Sequence, residues 1–282
     1  MSSRSILITG CSSGIGEAAA RRLQLRGWRV FASARKSSDA TRLGESGLEA
    51  LQLDLADSAS IRHAVEEVLA RTGGRLDALF NNGAYGQPGA VEDLTREVLR
   101  AQLETNLLGT HELTCCILPV MRAQGHGRIV QNSSILGFAA LPYRGAYNCS
   151  KFALEGLTDT LRLELRGSGI DVSLIEPGPI ATRFRDNAHA AFEAHIDVEH
   201  SAHATVYQAL QRRLSGQAGK TPFTLPADAV VDKLIHALES PRPRARYYVT
   251  FPTHLFGTLK RLLPTRWMDG VLLRSTARER RE

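Results

Sequence analysis

No stretch of this sequence approaches the ~18 consecutive apolar residues that a membrane span requires, which argues against a membrane-spanning protein. The apolar run in the N-terminal MSSRSILITG is shorter than a signal-peptide core, so the expected location is the cytoplasm. Only four cysteines occur, Cys11, Cys115, Cys116 and Cys149, and none of them forms a CxxC or CxxxxC pair. That spacing argues against a metal site or a disulfide framework, and it suggests small buried apolar residues in a reducing compartment. Internal repeats and low-complexity linkers are also missing, so a single domain is the simpler reading. The net charge of +6 invites a nucleic-acid partner until it is located. Residues 242–282 carry ten basic and three acidic side chains, a net of +7, while the body before them is close to neutral at −1. A nucleic-acid module spreads a basic stripe over its folded face, so no nucleic-acid partner is expected.

What is present reads as a globular chain: 282 residues, 43% hydrophobic and 23% charged, long enough to bury a substantial core. Short β-branched or apolar runs predict strands at 5–9, 29–34, 50–54, 76–81, 127–133, 171–176 and 246–250. Between them, residues 17–27, 60–72, 92–124 and 151–167 place apolar side chains at helical spacing, with Gly27, Gly73, Gly125 and Gly167 where helix C-caps belong. This alternation predicts an α/β fold, a doubly wound and mostly parallel sheet of seven strands with helices on both faces. The expected organisation is one domain over residues 1–250, with a helical lid over 183–225 and a basic amphipathic extension over 251–282.

The first strand runs into TGCSSGIG, residues 9–16, and then into a helix. Gly10, Gly14 and Gly16 in that position let the backbone approach a pyrophosphate, whose charge the helix N-terminus stabilises. At the end of the second strand, where a carboxylate would accept hydrogen bonds from ribose hydroxyls, the chain reads Ser33-Ala34-Arg35-Lys36. No acid stands there. A forked arginine such as Arg35 suits a 2′-phosphate instead, so NADP(H) is the expected cofactor. In the middle of the chain, Tyr147 and Lys151 are four residues apart, which puts both on one helix face, and Ser134 ends the fifth strand. A phenol with pKa ~10 is a poor base near neutrality, but a cationic lysine beside it favours the phenolate. The trio therefore suits proton transfer.

TGCSSGIG, NNGAYG at 81–86, Asn106 in TNLLGT, SSILG, YNCSK and EPGPIAT at 176–182 together resemble a short-chain dehydrogenase/reductase of the large single-domain type. The likeness runs over roughly residues 4–250 and is greatest to bacterial members akin to hydroxysteroid and retinol dehydrogenases, including NADP-dependent aldehyde reductases. It implies a catalytic set of Asn106, Ser134, Tyr147 and Lys151, in which Ser134 polarises the substrate oxygen, Lys151 also reaches the nicotinamide ribose, and Asn106 holds a water linking Lys151 to solvent. It implies cofactor contacts at Gly10, Ser12, Ser13, Gly14, Ile15, Gly16, Arg35, Asp54, Leu55, Asn82, Gly83, Tyr147, Lys151, Pro177, Gly178, Ile180 and Thr182. It also implies a small lipophilic carbonyl or alcohol substrate, no metal, and a homo-oligomer built on the helices around 92–123 and 146–166. One motif departs from the family: Asn81-Asn82-Gly83-Ala84 stands where Asn-Asn-Ala-Gly is usual, so the glycine sits one position early and binding is expected to be adjusted rather than lost.

Two features have bland alternatives. His189, His195, His200 and His203 in the lid tempt a metal reading, but solvated helix residues fit them better. In the tail, Leu255/Phe256/Leu259/Leu262/Leu263 and Trp267/Met268/Val271/Leu272 flank Pro264, with Lys260, Arg261, Arg266 and Arg274 interleaved. Apolar stripes of this kind usually face a core, and that packing is the favoured expectation. The other is a peripheral contact with anionic lipid. A different class of function, a dinucleotide-binding sensor on the same fold, would be favoured by loss of Tyr147 or Lys151, and both are present.

Overall fold

Residues along the first strand alternate between two cores, and that alternation sets the architecture of the computed structural model, which describes residues 3–215 and 221–277. In β1 (Ser5–Ile8), Ile6 and Ile8 join Leu23, Val30, Val230, Leu234 and Tyr247 on one side of the sheet. Leu7 joins Phe31, Ile61, Val68, Leu113, Ile117 and Ile129 on the other. Both faces are buried, as a parallel sheet requires.

The sheet holds β2 (Arg29–Ala34), β3 (Glu49–Gln52), β4 (Ala78–Asn81), β5 (Gly127–Asn132), β6 (Ile170–Pro177) and β7 (Arg246–Val249) beside β1, in the order β3-β2-β1-β4-β5-β6-β7. Every pairing is parallel. The order reverses between β1 and β4, and ligands of such sheets bind at the carboxyl ends of the strands beside that reversal. The helices are α1 (Gly14–Leu25), α2 (Ser37–Glu45), α3 (Ser58–Thr72), α4 (Arg96–Leu103), α5 (Gly109–Gln124), α6 (Gly145–Glu164), α7 (Phe184–His195), α8 (Ala204–Leu214), α9 (Asp228–Glu239), α10 (Phe251–Leu262) and α11 (Thr265–Ser275). All seven predicted strands are present, shifted at their ends by a residue or two.

Three expectations need correction. The helix predicted over 92–124 is broken: α4 passes into a π-helical turn, Glu104–Leu108, before α5 begins. Gly73 and Gly125 cap α3 and α5 in the left-handed region, and Gly27, directly after Arg26, closes α1 with a φ of 83° and the bonds Gly27 N–H to Gln24 and Trp28 N–H to Leu23, whereas α6 ends at Leu165, two residues ahead of Gly167. Of the cysteines only Cys11 is buried, and Cys115 and Cys149 lie on the outer faces of α5 and α6.

The region expected to form a lid holds α7 and α8, whose Phe192, Ile196, Tyr207 and Leu210 close a small core with Ala90 and Ala188. The Tyr207 hydroxyl accepts from the Ala90 N–H at 2.8 Å and donates to Asp93, and Ser201 donates to the same carboxylate at 2.6 Å. This region is thus latched to the loop after β4. The rest of the predicted lid, 216–220, lies outside the described residues. The tail helices α10 and α11 pack Phe256, Leu259, Leu263, Met268 and Leu272 against Ile135, Phe138, Ala139 and Leu141, which follow β5. No helix among the described residues is long and apolar enough to cross a membrane.

Candidate active site

The turn after β1 is shaped by what its backbone touches. Gly10 and Gly14 take φ of 70° and 61°, where a side chain is strained. A Cβ on Gly10 would stand 2.7 Å from Gly83 Cα, and one on Gly16 2.3 Å from the Gly10 carbonyl oxygen. The turn therefore opens a cradle at the head of α1, with Ser12, Ser13 and Ile15 half-buried along it. Thr182 closes the far side, since a Cβ on Gly14 would meet its side chain at 3.0 Å. Such a bare cradle at a helix N-terminus fits a dinucleotide pyrophosphate.

The early glycine after β4 lies against the same turn. Gly83 abuts Gly10 and donates its N–H to the Thr9 hydroxyl at 2.8 Å, without a left-handed φ. A Cβ there would press the terminal carbon of Leu55 at 3.1 Å, a contact that a flexible end can relieve. Asn82 braces the same junction: its amide nitrogen donates to the Thr9 and Gly10 carbonyls at 2.9 and 3.3 Å, and its oxygen accepts from Asn132 at 2.9 Å. Both ends of this amide are engaged within the protein.

At the adenosine end, Ala34 is buried and Arg35 is exposed. The Arg35 guanidinium donates to no described residue, yet its charge opposes the burial that raises the Tyr85 phenol. Arg42, on the α2 helix missed by the sequence reading, donates to the Ser12 carbonyl at 2.6 Å and adds a second cation at this mouth. Asp54 is partly committed to its own turn, accepting from the Ala56 N–H at 2.9 Å, beside the buried Leu55. At the other end, Pro177 closes β6, Gly178 donates to the Val249 carbonyl at 3.1 Å, and Ile180 bridges to Leu225.

Ser134, Tyr147 and Lys151 converge between these ends. Ser134 caps the 3₁₀ turn Ile135–Gly137, accepting from the Leu136 N–H at 3.1 Å, and its hydroxyl favours the Tyr147 phenolate. Tyr147 sits in the first turn of α6 with the Phe184 ring edge-on at 5.3 Å. Lys151 is 3% exposed; its ammonium donates to the Asn132 carbonyl at 2.7 Å and lies 5.7 Å from the Tyr147 ring centre. Burial pushes the phenol up to about 12, opposed by the Ser134 hydroxyl. Burial also brings the lysine down to about 8, opposed by the charge of Glu155.

Asn106 occupies the π turn, a distortion that recurs at functional sites because it re-aims a side chain. Its amide accepts from the Tyr85 N–H at 3.1 Å and donates to the Tyr85 carbonyl at 2.8 Å and Ser150 at 3.2 Å. It thus ties the loop after β4 to α6 one residue before Lys151. The lid histidines are spread over separate partners: His195 with Gln87, His200 with Asp197, His203 with Glu92 and His189 with Glu193. No cluster that could hold a metal ion forms among the described residues.

Two further groups escaped the sequence reading. One is a cavity of about 150 Å³ against Tyr147, with the apolar Leu136 and Leu210 in its wall and three arginines, Arg144, Arg185 and Arg213. The other lies behind Lys151. Glu155 is one turn further along α6, and Arg246 on β7 bonds Glu155, Glu176 on β6 at 2.5 Å and Asp159 at 2.5 Å.

Comparison with known proteins agrees with this geometry. The short chain dehydrogenase family model matches residues 4–193. The chain is 44% identical over 269 residues to the uncharacterized oxidoreductase YbbO of Escherichia coli K12, covering 95% of this chain and 94% of that one. It is 32% identical to the NADPH-dependent 3-dehydrocapnine reductase of Ornithobacterium rhinotracheale, covering 95% of each. Among solved structures, a short-chain dehydrogenase from Streptomyces avermitilis superposes with a TM-score of 0.77 at 28% identity, over 96% of this chain and 98% of that one. A seven-stranded parallel sheet, a glycine cradle at its switch point and a Ser–Tyr–Lys group at the strand ends accompany these likenesses, and the chain belongs to the short-chain dehydrogenase family, oxidoreductases acting on alcohol and carbonyl groups with a nicotinamide dinucleotide.

Proposed function

We propose that the protein is an NADP(H)-dependent oxidoreductase for a lipophilic carbonyl or alcohol, with Tyr147 as its acid and base. The observation that carries this reading is the Tyr147 phenol, with buried Lys151 5.7 Å from its ring, at the wall of a largely apolar cavity. The nicotinamide supplies or accepts the hydride. Tyr147 gives its phenolic proton to the carbonyl oxygen as the carbon is reduced, and takes it back in the reverse direction. Ser134 holds that oxygen in place. Lys151 keeps positive charge beside the phenol, which favours its deprotonated form. Ser12, Ser13, Gly14, Ile15 and Thr182 would bind the pyrophosphate, and Asn82, Gly83, Pro177, Gly178 and Ile180 would line the nicotinamide half of the cleft.

Choice of NADP(H) rests on the unspent donors of Arg35 and the absence of a carboxylate at the end of β2, and an NADPH-dependent relative supports it. A charged hydrogen bond is worth ~1.5–3 kcal/mol, or roughly 10- to 150-fold in affinity. The wild-type protein should bind NADPH over NADH by at least the lower figure in fluorescence titration. Replacing Arg35 by Ala together with Ala34 by Asp should reverse the order. Equal binding of both cofactors by wild type would remove Arg35 from the cofactor site.

A peripheral membrane contact is a second part of the proposal. Five of the tail's apolar side chains pack inward, but Leu262 and Trp267 remain 73% and 69% exposed on either side of Pro264, next to Arg261 and Arg266. Each basic residue near anionic lipid adds ~1 kcal/mol of attraction. Phosphatidylserine vesicles should therefore sediment the protein, and Leu262→Ser with Trp267→Ser should release most of it. Wild type left in the supernatant at low salt would eliminate the contact.

A further inference from the structure

The first helix of the tail touches both walls of the cleft. Its root is Thr250, which follows β7 with φ 82° and ψ 152°. Glycine alone adopts that conformation freely, and a β-branched residue held in it is strained. What the strain places is the Thr250 hydroxyl. A Cβ on Gly178 would collide with that oxygen and stand 3.0 Å from the Thr253 hydroxyl. Thr253 is fully buried and donates to the Val249 carbonyl at 2.8 Å, so Thr250 is the donor across the 3.1 Å between the two hydroxyls. The same carbonyl accepts from the Gly178 N–H at 3.1 Å. The turn after β6 is thereby held against the first turn of α10.

Further along, the same helix meets the other wall. Lys260 Nζ donates to the Phe138 carbonyl, one residue past the 3₁₀ turn that Ser134 caps, and lies 4.8 Å from the ring centre of Phe152 on α6. Phe256 and Leu259 pack with Ile135 and Phe138 of that segment. Between the two walls Gly257 lies against Tyr248, where a Cβ would stand 2.6 Å from the ring. Tyr248 in turn faces Phe138, with ring centres 5.6 Å apart. Packing this close transmits displacement, because a dense interior has few voids to absorb it.

We propose that α10 is a brace that sets the spacing between the nicotinamide side of the cleft and Ser134, with Thr250 and Lys260 as its positioning residues. This rests on the function proposed above, in which Gly178 lines the nicotinamide half and Ser134 holds the substrate oxygen. Thr250 fixes the turn that carries Gly178 and Ile180. Lys260 fixes the segment that follows Ser134. Misplacing a reacting group by about 1 Å can cost ~10²-fold in rate, so small shifts at either end are measurable.

The two ends have different signatures. Lys260→Met keeps the aliphatic stem and removes the ammonium. It should lower kcat for aldehyde reduction by ~10-fold or more while the NADPH Kd and the urea midpoint stay at wild-type values. Lys260→Arg should recover part of the rate. Thr250→Gly removes the hydroxyl and relieves the strained backbone, so its urea midpoint should not fall. Its NADPH affinity should nevertheless drop by ~10-fold in fluorescence titration, the worth of about one hydrogen bond. Thr250→Ser keeps the hydroxyl and should bind NADPH as wild type does. Wild-type turnover by Lys260→Met would overturn the brace at Ser134, and wild-type NADPH affinity in Thr250→Gly would overturn it at Gly178. Losses that track a lowered urea midpoint would also overturn it, since a merely structural contact behaves that way. The titration needs no turnover, so a wild-type protein that binds NADPH but reduces no aldehyde faults the proposed function and leaves the Gly178 end to decide the brace.

Discussion

Tyr147→Phe is expected to lower the reduction of any good aldehyde substrate by at least ~10²–10⁴-fold, the usual contribution of a positioned acid or base. The variant removes one oxygen and keeps the ring that packs against Phe184, so the fold should hold and NADPH should still bind. The direction of the pKa shifts explains how the residue works. A phenol pushed up to about 12 keeps its proton through the neutral range and is ready as an acid for reduction. As a base for alcohol oxidation it needs Lys151 in its cationic form, and burial brings that lysine down to about 8. Lys151 is charged below that value and loses its charge as pH rises through it. The support it gives to the phenolate is thus strongest below pH ~8 and fades above it. NADPH consumption under single-turnover conditions measures the effect free of product release. A Phe variant that reduces the aldehyde at the wild-type rate would end the assignment of Tyr147 as the acid.

Much of this site can be read from the sequence because its parts are local. Gly10, Gly14 and Gly16 lie within seven residues, and their cradle follows from backbone sterics alone. Tyr147 and Lys151 share a helix face by period, and Ser134 follows the end of β5 by two residues. The strands are legible for the same reason, since their apolar runs fill both faces of a parallel sheet. Other parts have no local signature. Helix α2 buries only Leu43 and carries too few apolar residues to mark its face in the sequence. The π turn at Glu104–Leu108 has a sequence that also suits an unbroken helix, and it is fixed by the bonds of Asn106 to Tyr85 and Ser150.

The tail illustrates the limit most clearly. Its apolar stripes are visible, but a stripe does not state what it faces. The answer lies more than a hundred residues away in Phe138 and Ala139, and Leu262 and Trp267 stay outside the packing that covers their neighbours. The cavity wall is similar: Arg144, Arg185 and Arg213 are far apart in the sequence and line one cavity only in the folded chain.

Arg246 also reaches partners far from it in the chain, 70 to 91 residues away, and its replacement should give the second large effect. The stripe Tyr147–Lys151–Glu155–Asp159 runs along one face of α6, and Arg246 grips its far end from β7. Glu176 is fully buried and Glu155 is 6% exposed, so Arg246 is the described cation that hydrogen-bonds both carboxylates. Lys151 on α6, Tyr248 on β7, and Lys260 and Arg261 on α10 stand around the group, while Arg162 takes the second side of Asp159. Burial and the neighbouring Glu155 charge hold the Glu176 carboxyl well above the ordinary range, and Arg246 opposes them. An acid whose folded pKa is raised binds its proton more tightly folded than unfolded. On this account stability falls as pH rises from the ordinary glutamate range towards pH ~8, and Arg246 limits that fall. Removing one partner of a buried ion pair costs ~3–5 kcal/mol because the remaining charge is left uncompensated. Arg246→Ala should approach that loss in urea unfolding at pH 8.5. At pH 5.5 the loss should be smaller, because the Glu176 carboxyl holds its proton and needs the arginine less. Arg246→Lys should recover part of the stability at the higher pH. An equal loss at both pH values would mean that Arg246 acts through packing alone, and no loss at either would remove it from the support of Lys151.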